Sequence, residues 1–298
     1  MKVLLAVSGG IDSMYMAERA PELFPGASFA VAHCNFGLRG AESDGDEAFV
    51  RAWCSSKGLP IFVKRFETEK FATEGGLSIE MAARELRYAW FAQICAAEGF
   101  DHVAIAHNAD DNVETFFLNL LRGTGTRGLR GMGDRDIIVR PLLGISRAQI
   151  REWMSERKLP WREDSTNASS AYKRNRLRSE VIPVLKEMNP SLQDSLRRTM
   201  EHISQVDDIA EDYFSGVRDS VCTGGTVSIR ALLALKHPRY VLFRLVEPVG
   251  LTETALDNLW DTISSGRQVG GRVFLGKRGE VRGLPKWRLS IIIPDKNN

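Results

Sequence analysis

The first residues able to do chemistry are Ala6-Val7-Ser8-Gly9-Gly10-Ile11-Asp12-Ser13, a glycine pair set between an apolar run and a helix-like stretch. Gly9 and Gly10 let the backbone come close to an anion. The hydroxyls of Ser8 and Ser13, with free N–H groups where a helix begins near Asp12, can hold phosphate oxygens. Such a cradle suits a pyrophosphate. It has no Walker A lysine and no GxGxxG spacing, so neither common nucleotide motif applies. Asp12 would repel phosphates unless a cation lay between, so charge balance favours a Mg²⁺ shared by Asp12 and the pyrophosphate. The competing reading is a plain glycine turn with Ser and Asp as helix caps.

Two further clusters follow apolar runs. His33-Cys34-Asn35-Phe36-Gly37-Leu38-Arg39-Gly40-Ala41-Glu42-Ser43-Asp44-Gly45-Asp46 would lie at the carboxyl end of a strand, where open α/β sheets bind ligands. Arg39 and Asp44 can flank an adenosine there. A capping box on Ser43, with Glu42, Asp44 and Asp46 at the positive end of a helix, explains the same residues equally well. Ala106-His107-Asn108-Ala109-Asp110-Asp111-Asn112-Val113-Glu114-Thr115 opens another helix. Asp110, Asp111 and Glu114 are helix caps or, if their strand neighbours the glycine loop, carboxylates set with His107 beside the reactive phosphorus. A carboxylate there can accept a proton from an attacking amine. The helix ends in Arg122-Gly123-Thr124-Gly125-Thr126-Arg127-Gly128-Leu129-Arg130-Gly131-Met132. That run reads as a loop closing over a nucleotide, with Arg122 offsetting charge at an α-phosphate, or as an ordinary solvated loop.

Strands expected at residues 3–7, 29–33, 61–66 and 102–106 alternate with helices starting near Asp12, Ser43, Ser78 and Asp110, which is the pattern of βα units feeding a parallel sheet. After Pro141 the pattern turns helical, with one helix opened by Ser146 and another beginning near Arg174 that meets Pro183. A long helix from Pro190 to about Tyr213 leads to helical stretches at 230–246 and 252–263 and then to glycine-punctuated strands. The expected fold is α/β, a doubly wound parallel sheet over residues 1–190, with a second, mainly helical smaller domain over 191–298 that ends in strands.

A chain of 298 residues with 43% apolar and 26% charged residues is the size of two globular domains. No apolar run reaches the roughly 20 residues of a membrane span. The N-terminal run ends in the glycine turn with no signal-cleavage pattern. Cys34, Cys54, Cys95 and Cys222 are scattered, with no CxxC pair and no zinc-ligand spacing, so a reduced, cytoplasmic protein is expected. The net charge is only +2, yet residues 122–178 hold fourteen Lys or Arg against six Asp or Glu, a segment suited to phosphates.

The glycine loop resembles the SGGxDS loop of the PP-loop ATP pyrophosphatases, which cleave ATP between the α- and β-phosphates. With the later motifs added, residues 2–192 resemble tRNA(Ile)-lysidine synthetase. The carriers are SGGIDS, HCNFGLRGAESDGDE, SIEMAARELRY at 78–88, HNADDNVETFFLNLLRGTGTRGLRGM, RPLLGISRAQI and WREDSTNASSAYKRNRLRSEVIPVLKEMNPSL. The resemblance implies that ATP adenylates the C2 carbonyl oxygen of the wobble cytidine in an isoleucine tRNA with a CAU anticodon. The ε-amine of free L-lysine then displaces AMP and leaves lysidine. It also implies carboxylates for the lysine ammonium: Glu114, Asp110 and Asp111, with Glu80 and Arg84 on one face of a helix as a second pair or, equally, a surface ion pair. Two departures matter. Phe36 or Gly37 stands where the family often has a His, and Asn108 where a second His commonly follows His107.

For RNA, Lys173, Arg174, Asn175, Arg176 and Arg178 form the densest basic run, following Asp164-Ser165-Thr166-Asn167. Trp153, Trp161 or Tyr172 is either a stacking platform for an anticodon base or core. A tRNA thiolase of the same superfamily would need paired cysteines or an iron–sulfur cluster, which the scattered cysteines oppose. A non-catalytic RNA- or nucleotide-binding protein is the alternative outside enzymes. The sequence leaves a homodimer open.

Overall fold

A computed structural model describes residues 1–163 and 172–293, Tyr172 by its backbone alone. The Asp164-Ser165-Thr166-Asn167 stretch, the Tyr172 side chain and the terminal Lys296-Asn297-Asn298 lie outside the described residues. The chain divides into two compact units, 1–204 and 205–298.

In the first unit the elements run β1 (Lys2–Ala6), α1 (Ile11–Glu18), α2 (Ala20–Leu23), β2 (Ser28–Asn35), α3 (Ala41–Lys57), β3 (Ile61–Arg65), α4 (Thr68–Gly75) and α5 (Ile79–Glu98). They continue with β4 (His102–Ile105), α6 (Ala109–Arg122), α7 (Thr126–Leu129), β5 (Ile138–Val139), α8 (Arg147–Glu156), α9 (Tyr172–Arg176), α10 (Ile182–Met188) and α11 (Leu192–Val221). The strands form a wholly parallel sheet in the order β3-β2-β1-β4-β5. β1 is nearly continuous in apolar residues because both of its faces are covered. Val3 and Leu5 pack with α1, α3 and α8, whereas Leu4 packs with Trp90, Phe91 and Ile94 of α5.

The four expected strands are present, and two-residue β5, too short for an apolar pattern, is an addition. α5 and α8 begin at the expected serines, whose hydroxyls accept from Met81 and Gln149 N–H. α3 does not begin at Ser43: its N-cap is Gly40, at φ 51°, while the Ser43 hydroxyl accepts from Arg39 N–H. The expected Ser43 capping box is therefore corrected. Near Arg174 the helix is interrupted by a π-helical turn, Leu177–Val181. Pro183, at the start of α10, has no N–H to continue the regular ladder, and the wider turn relieves the mismatch.

The second unit holds the end of α11, then β6 (Cys222–Thr223), β7 (Thr226–Ser228), α12 (Ile229–Leu233), α13 (Pro238–Val246), α14 (Glu253–Ser264), β8 (Val273–Gly276), β9 (Gly279–Leu284) and β10 (Arg288–Ile292). Its sheet is antiparallel, in the order β6-β7-β10-β9-β8, and Val227, Leu232, Leu242, Leu259 and Leu289 centre its core. The helical stretch expected at 230–246 is two helices, broken before Pro238. No helix of the described residues is long and apolar enough to cross a membrane.

Candidate active site

From β1 the sheet grows one way through β2 and β3 and the other way through β4 and β5, so a crevice opens beyond the carboxyl ends of β1 and β4. A cavity of about 270 Å³ lies there, lined among others by Ser8, Gly10, Asp12, Ser13, Arg87 and His107. A neighbouring cavity of about 650 Å³ shares Ser8, Cys34, Phe36 and Arg87 with it.

The glycine loop is held by its own bonds. Ser13 Oγ donates to the Gly10 carbonyl at 2.9 Å, Ser8 N–H donates to Ser13 Oγ at 3.2 Å, and Gly10 N–H donates to Ser8 Oγ at 3.3 Å. Gly9 sits at φ 96°, and its carbonyl accepts from Arg162 N–H at 2.9 Å. A Cβ on Gly9 would meet neighbours only at ordinary contact distances, 3.5 Å to Phe49 and Val50, so the obstacle to substitution is conformational. Gly9→Ala should lower stability by about 1–2 kcal/mol; an unchanged urea midpoint would show the loop relaxing to a negative φ.

Asp12 does not cap α1: the N-cap is Gly10, which receives no side-chain bond. Asp12 Oδ1 is buried with no hydrogen-bond partner among the described residues. Burial is the main force raising its pKa, with Arg147 opposing and Asp111 adding to the rise. An orphaned, partly desolvated carboxylate oxygen in a phosphate cradle fits a divalent cation shared with the ligand. The described residues hold no cluster of three or more His, Cys, Asp or Glu able to bind a metal by themselves.

In the second cluster the polar residues bind one another. Arg39 pairs with Asp46 at 2.6 Å, and Asp46 also accepts from Arg162 Nε at 2.9 Å. Asp44 pairs with Arg65 at 3.1 Å and accepts from Asn35. Arg39 and Asp46 line the larger cavity; Asp44 does not.

In the third cluster Asp111 and Asn108 form a reciprocal capping box, each accepting from the other's N–H at 3.1 and 3.0 Å. Asp110 accepts from Arg147 N–H at 2.8 Å, Lys186 Nζ at 3.3 Å and Gln193 Nε2 at 2.6 Å, tying α6 to α8, α10 and α11. Glu114 is 1% exposed and forms a fork with Arg178, at 2.7 and 3.1 Å, with Arg174 at 3.6 Å. Burial pushes the Glu114 carboxyl up and the Arg178 fork opposes it; the same fork strengthens the proton on Arg178. So close a guanidinium keeps the pair ionised.

His107 is pushed down to about 4, chiefly by burial, with Arg140 acting in the same direction and Asp111 against it. An unfolded histidine at 6.5 takes up its proton first, so this residue's contribution to stability is present above pH 6.5 and is lost as pH falls toward 4. His107→Asn should therefore lose less stability than wild type between pH 7 and 5 in urea titrations; equal losses would mean that His107 is not held neutral.

Some expected residues are not brought together. Arg122 is exposed at the far end of α6, about 18 Å along the axis from Asp110, and is not at the crevice. Glu80 lines the larger cavity, but Arg84 stacks over the Tyr88 ring at 4.9 Å and forms no ion pair with Glu80 among the described residues. Trp153 and Trp161 pack against the core under α1 and α8, Trp153 edge-on to Tyr15 at 5.1 Å, and so are not a free stacking platform. In the basic run Arg174 and Arg178 turn to Glu114 and Arg176 pairs with Glu180, while Lys173 and Asn175 extend the same short helix.

Residues not singled out from the sequence also reach the site. Arg87 lines both cavities and lies over the Phe36 ring at 5.3 Å. Arg140 donates to His107, and Arg162 reaches back to the glycine loop and Asp46. Their only sequence signal was membership of the longer motifs.

Residues 1–185 match a family described as a PP-loop domain. The tRNA(Ile)-lysidine synthase of Porphyromonas gingivalis is 42% identical over 269 residues, 86% of this chain and 58% of its own length. That of Bacteroides thetaiotaomicron is 37% identical over 297 residues, 99% and 66% respectively. That of Chlorobaculum tepidum is 41% identical over 264 residues, 84% and 78%. The chain thus spans less than two thirds of the length of the Porphyromonas and Bacteroides relatives. Among solved structures, the U34-tRNA thiolase NcsA from Methanococcus maripaludis, with its [4Fe-4S] cluster, aligns at a TM-score of 0.57 and 20% identity over 68% of this chain and 72% of that one, a likeness of fold.

Proposed function

The chain belongs to the tRNA(Ile)-lysidine synthase family, and from that premise we propose that it ligates free L-lysine to C2 of the wobble cytidine in isoleucine tRNA with a CAU anticodon, consuming ATP. The observation that carries this reading is the orphaned Asp12 oxygen facing a phosphate cradle at the switch point of the sheet. In the first step the cytidine C2 oxygen attacks the α-phosphorus, the bond to the β-phosphate oxygen breaks, and pyrophosphate leaves. In the second, the neutral ε-amine of lysine attacks C2, the C2–O bond breaks, and AMP leaves.

The loop's backbone and the Ser8 and Ser13 hydroxyls bind pyrophosphate oxygens. Asp12 would hold Mg²⁺, whose charge offsets that of the pyrophosphate. The amine must shed a proton, and Asp111, which follows His107 at the start of α6 and spends one oxygen on the Asn108 N–H, is the third-cluster carboxylate proposed to take it; Asp110 accepts three bonds from neighbouring helices and Glu114 both bonds of the Arg178 fork. Arg122 would reach an α-phosphate only through movement of the loop it precedes, and Glu80 remains a candidate for the lysine ammonium. Lys173 and the neighbouring arginines are the proposed RNA contact.

No protein nucleophile is required, and the thiols are poor ones: burial pushes Cys34 up to about 12 and Cys54 up to about 11. The four cysteines are scattered along the chain with no CxxC pair, which counts against sulfur transfer. The test is ATP-dependent incorporation of radiolabelled lysine into unmodified CAU-anticodon isoleucine tRNA. Well-folded wild type that incorporates none overturns the reading.

A further inference from the structure

The reaction above gives the His107 ring no task, although it lines the crevice cavity beside Ser8 and Asp12. The pairing of β5 with β4, Val103 against Ile138 and Ala104 against Val139, carries Arg140 alongside the residues that follow β4. Arg140 Nε then donates to His107 Nδ1 at 3.2 Å. A guanidinium has only hydrogens to offer, so Nδ1 must be the acceptor and the ring proton sits on Nε2. A proton on Nδ1 would face the Nε–H of Arg140, donor against donor. Arg140 is itself clamped: its backbone N–H donates to Asp134 at 2.8 Å and its Nη1 to the Gly133 carbonyl. Arg140 does not line the crevice cavity but belongs to a separate cleft with Arg130 and Arg197. With the Nδ1 edge taken by Arg140, Nε2–H is the polar group of the ring left for a ligand of the cavity that His107 lines.

We propose that Arg140 is a positioning residue: it holds His107 as the neutral Nε2–H tautomer, so that the ring donates one hydrogen bond to an oxyanion of the nucleotide seated on the Ser8–Ser13 loop. The proposal rests on ATP being the ligand of that cavity. A neutral donor fixes the phosphate without acting as an acid, which leaves proton transfer from the lysine amine to the carboxylates.

The test uses the full chain with isotope-labelled histidine, two-bond nitrogen–proton spectra of the imidazole, and binding of α,β-methylene-ATP. Wild-type His107 is expected to carry its proton on Nε2. In Arg140→Met the tautomers should mix and the nucleotide Kd should rise about five- to tenfold, the worth of roughly one hydrogen bond. Arg140→Lys keeps a donor and should restore both the Nε2 proton and most of that loss, and the tautomer read in the spectra separates the effect on the ring from disturbance of the 131–134 turn. His107→Ala should weaken binding by a similar factor, and Arg140→Met should add nothing in that background. A proton on Nδ1 in wild type, an unchanged tautomer in Arg140→Met, or losses that add in the double variant overturn the proposal. Wild type with the Nε2 proton that fails to bind the analogue overturns the nucleotide reading itself, and with it the ring's ligand, and is distinguishable because the tautomer is read without nucleotide.

Discussion

Asp12→Asn is expected to lower lysine incorporation by at least about a thousandfold, or about 4 kcal/mol of barrier, while leaving the protein no less stable. Both effects come from one oxygen. Asp12 Oδ1 is buried without a partner, and burial is the main force raising its pKa above the ordinary 3.8. The charge is therefore disfavoured by the fold and kept for the ligand. With the folded value raised, the folded state holds the proton more firmly, so the group's contribution is present below pH 3.8 and stability falls as pH rises through the folded value. Asparagine removes the charge at nearly constant shape. Urea unfolding at pH 4 and pH 7 should show wild type losing ground to the variant over that interval. Incorporation within tenfold of wild type would remove Asp12 from the proposed cation site.

Glu114→Gln is expected to cost about 2–3 kcal/mol of stability and to lower incorporation as far as the reaction depends on α6 being held in place. The figure lies below the roughly 3–5 kcal/mol typical when one partner of a buried pair is removed, because the Arg178 side chain keeps 38% of its exposure and can be solvated. The loss arises where α6 meets the π-helical turn, since the fork is their main polar link. Arg178→Met leaves a carboxylate that is only 1% exposed without its partner, and should be the more damaging of the two. Combining Glu114→Leu with Arg178→Met should return much of the stability, as apolar replacement of an ion pair often does. Thermal melts and incorporation assays on the three proteins check this. A double variant as unstable as the sum of the singles would mean that the pair is not the shared origin of the loss.

Much of the parallel sheet was legible because its signals are local. The strand before Ser8 is an apolar run closed by two glycines, and the caps Ser78 and Ser146 stand directly before their helices. Where a local signal misled, a more distant partner had taken the residue: Ser43 accepts from Arg39 rather than capping α3. β5 was missed because two residues carry no period and gain their place only by pairing with β4. The candidate site was legible as a set of loops, not as a set of contacts. Asp110 and Glu114 read as equivalent carboxylates at the start of one helix, yet one ties helices together and the other lies under two arginines.

By itself the sequence determined the glycine cradle, the alternation of the first four strands with the main helices, and the family through its ordered motifs, since these depend on backbone propensity and short-range pattern. The tertiary structure alone decided which charges meet: Glu114 with Arg178 across 64 positions, Asp110 with Gln193 across 83, and Asp46 with Arg162 across 116. Those partners follow from strand order and helix packing, which bring together residues too far apart in the chain for spacing to indicate. Charge balance in the sequence already pointed Asp12 to a cation; what only the fold decides is that one of its oxygens lies buried at the switch point of the sheet without a hydrogen-bond partner among the described residues.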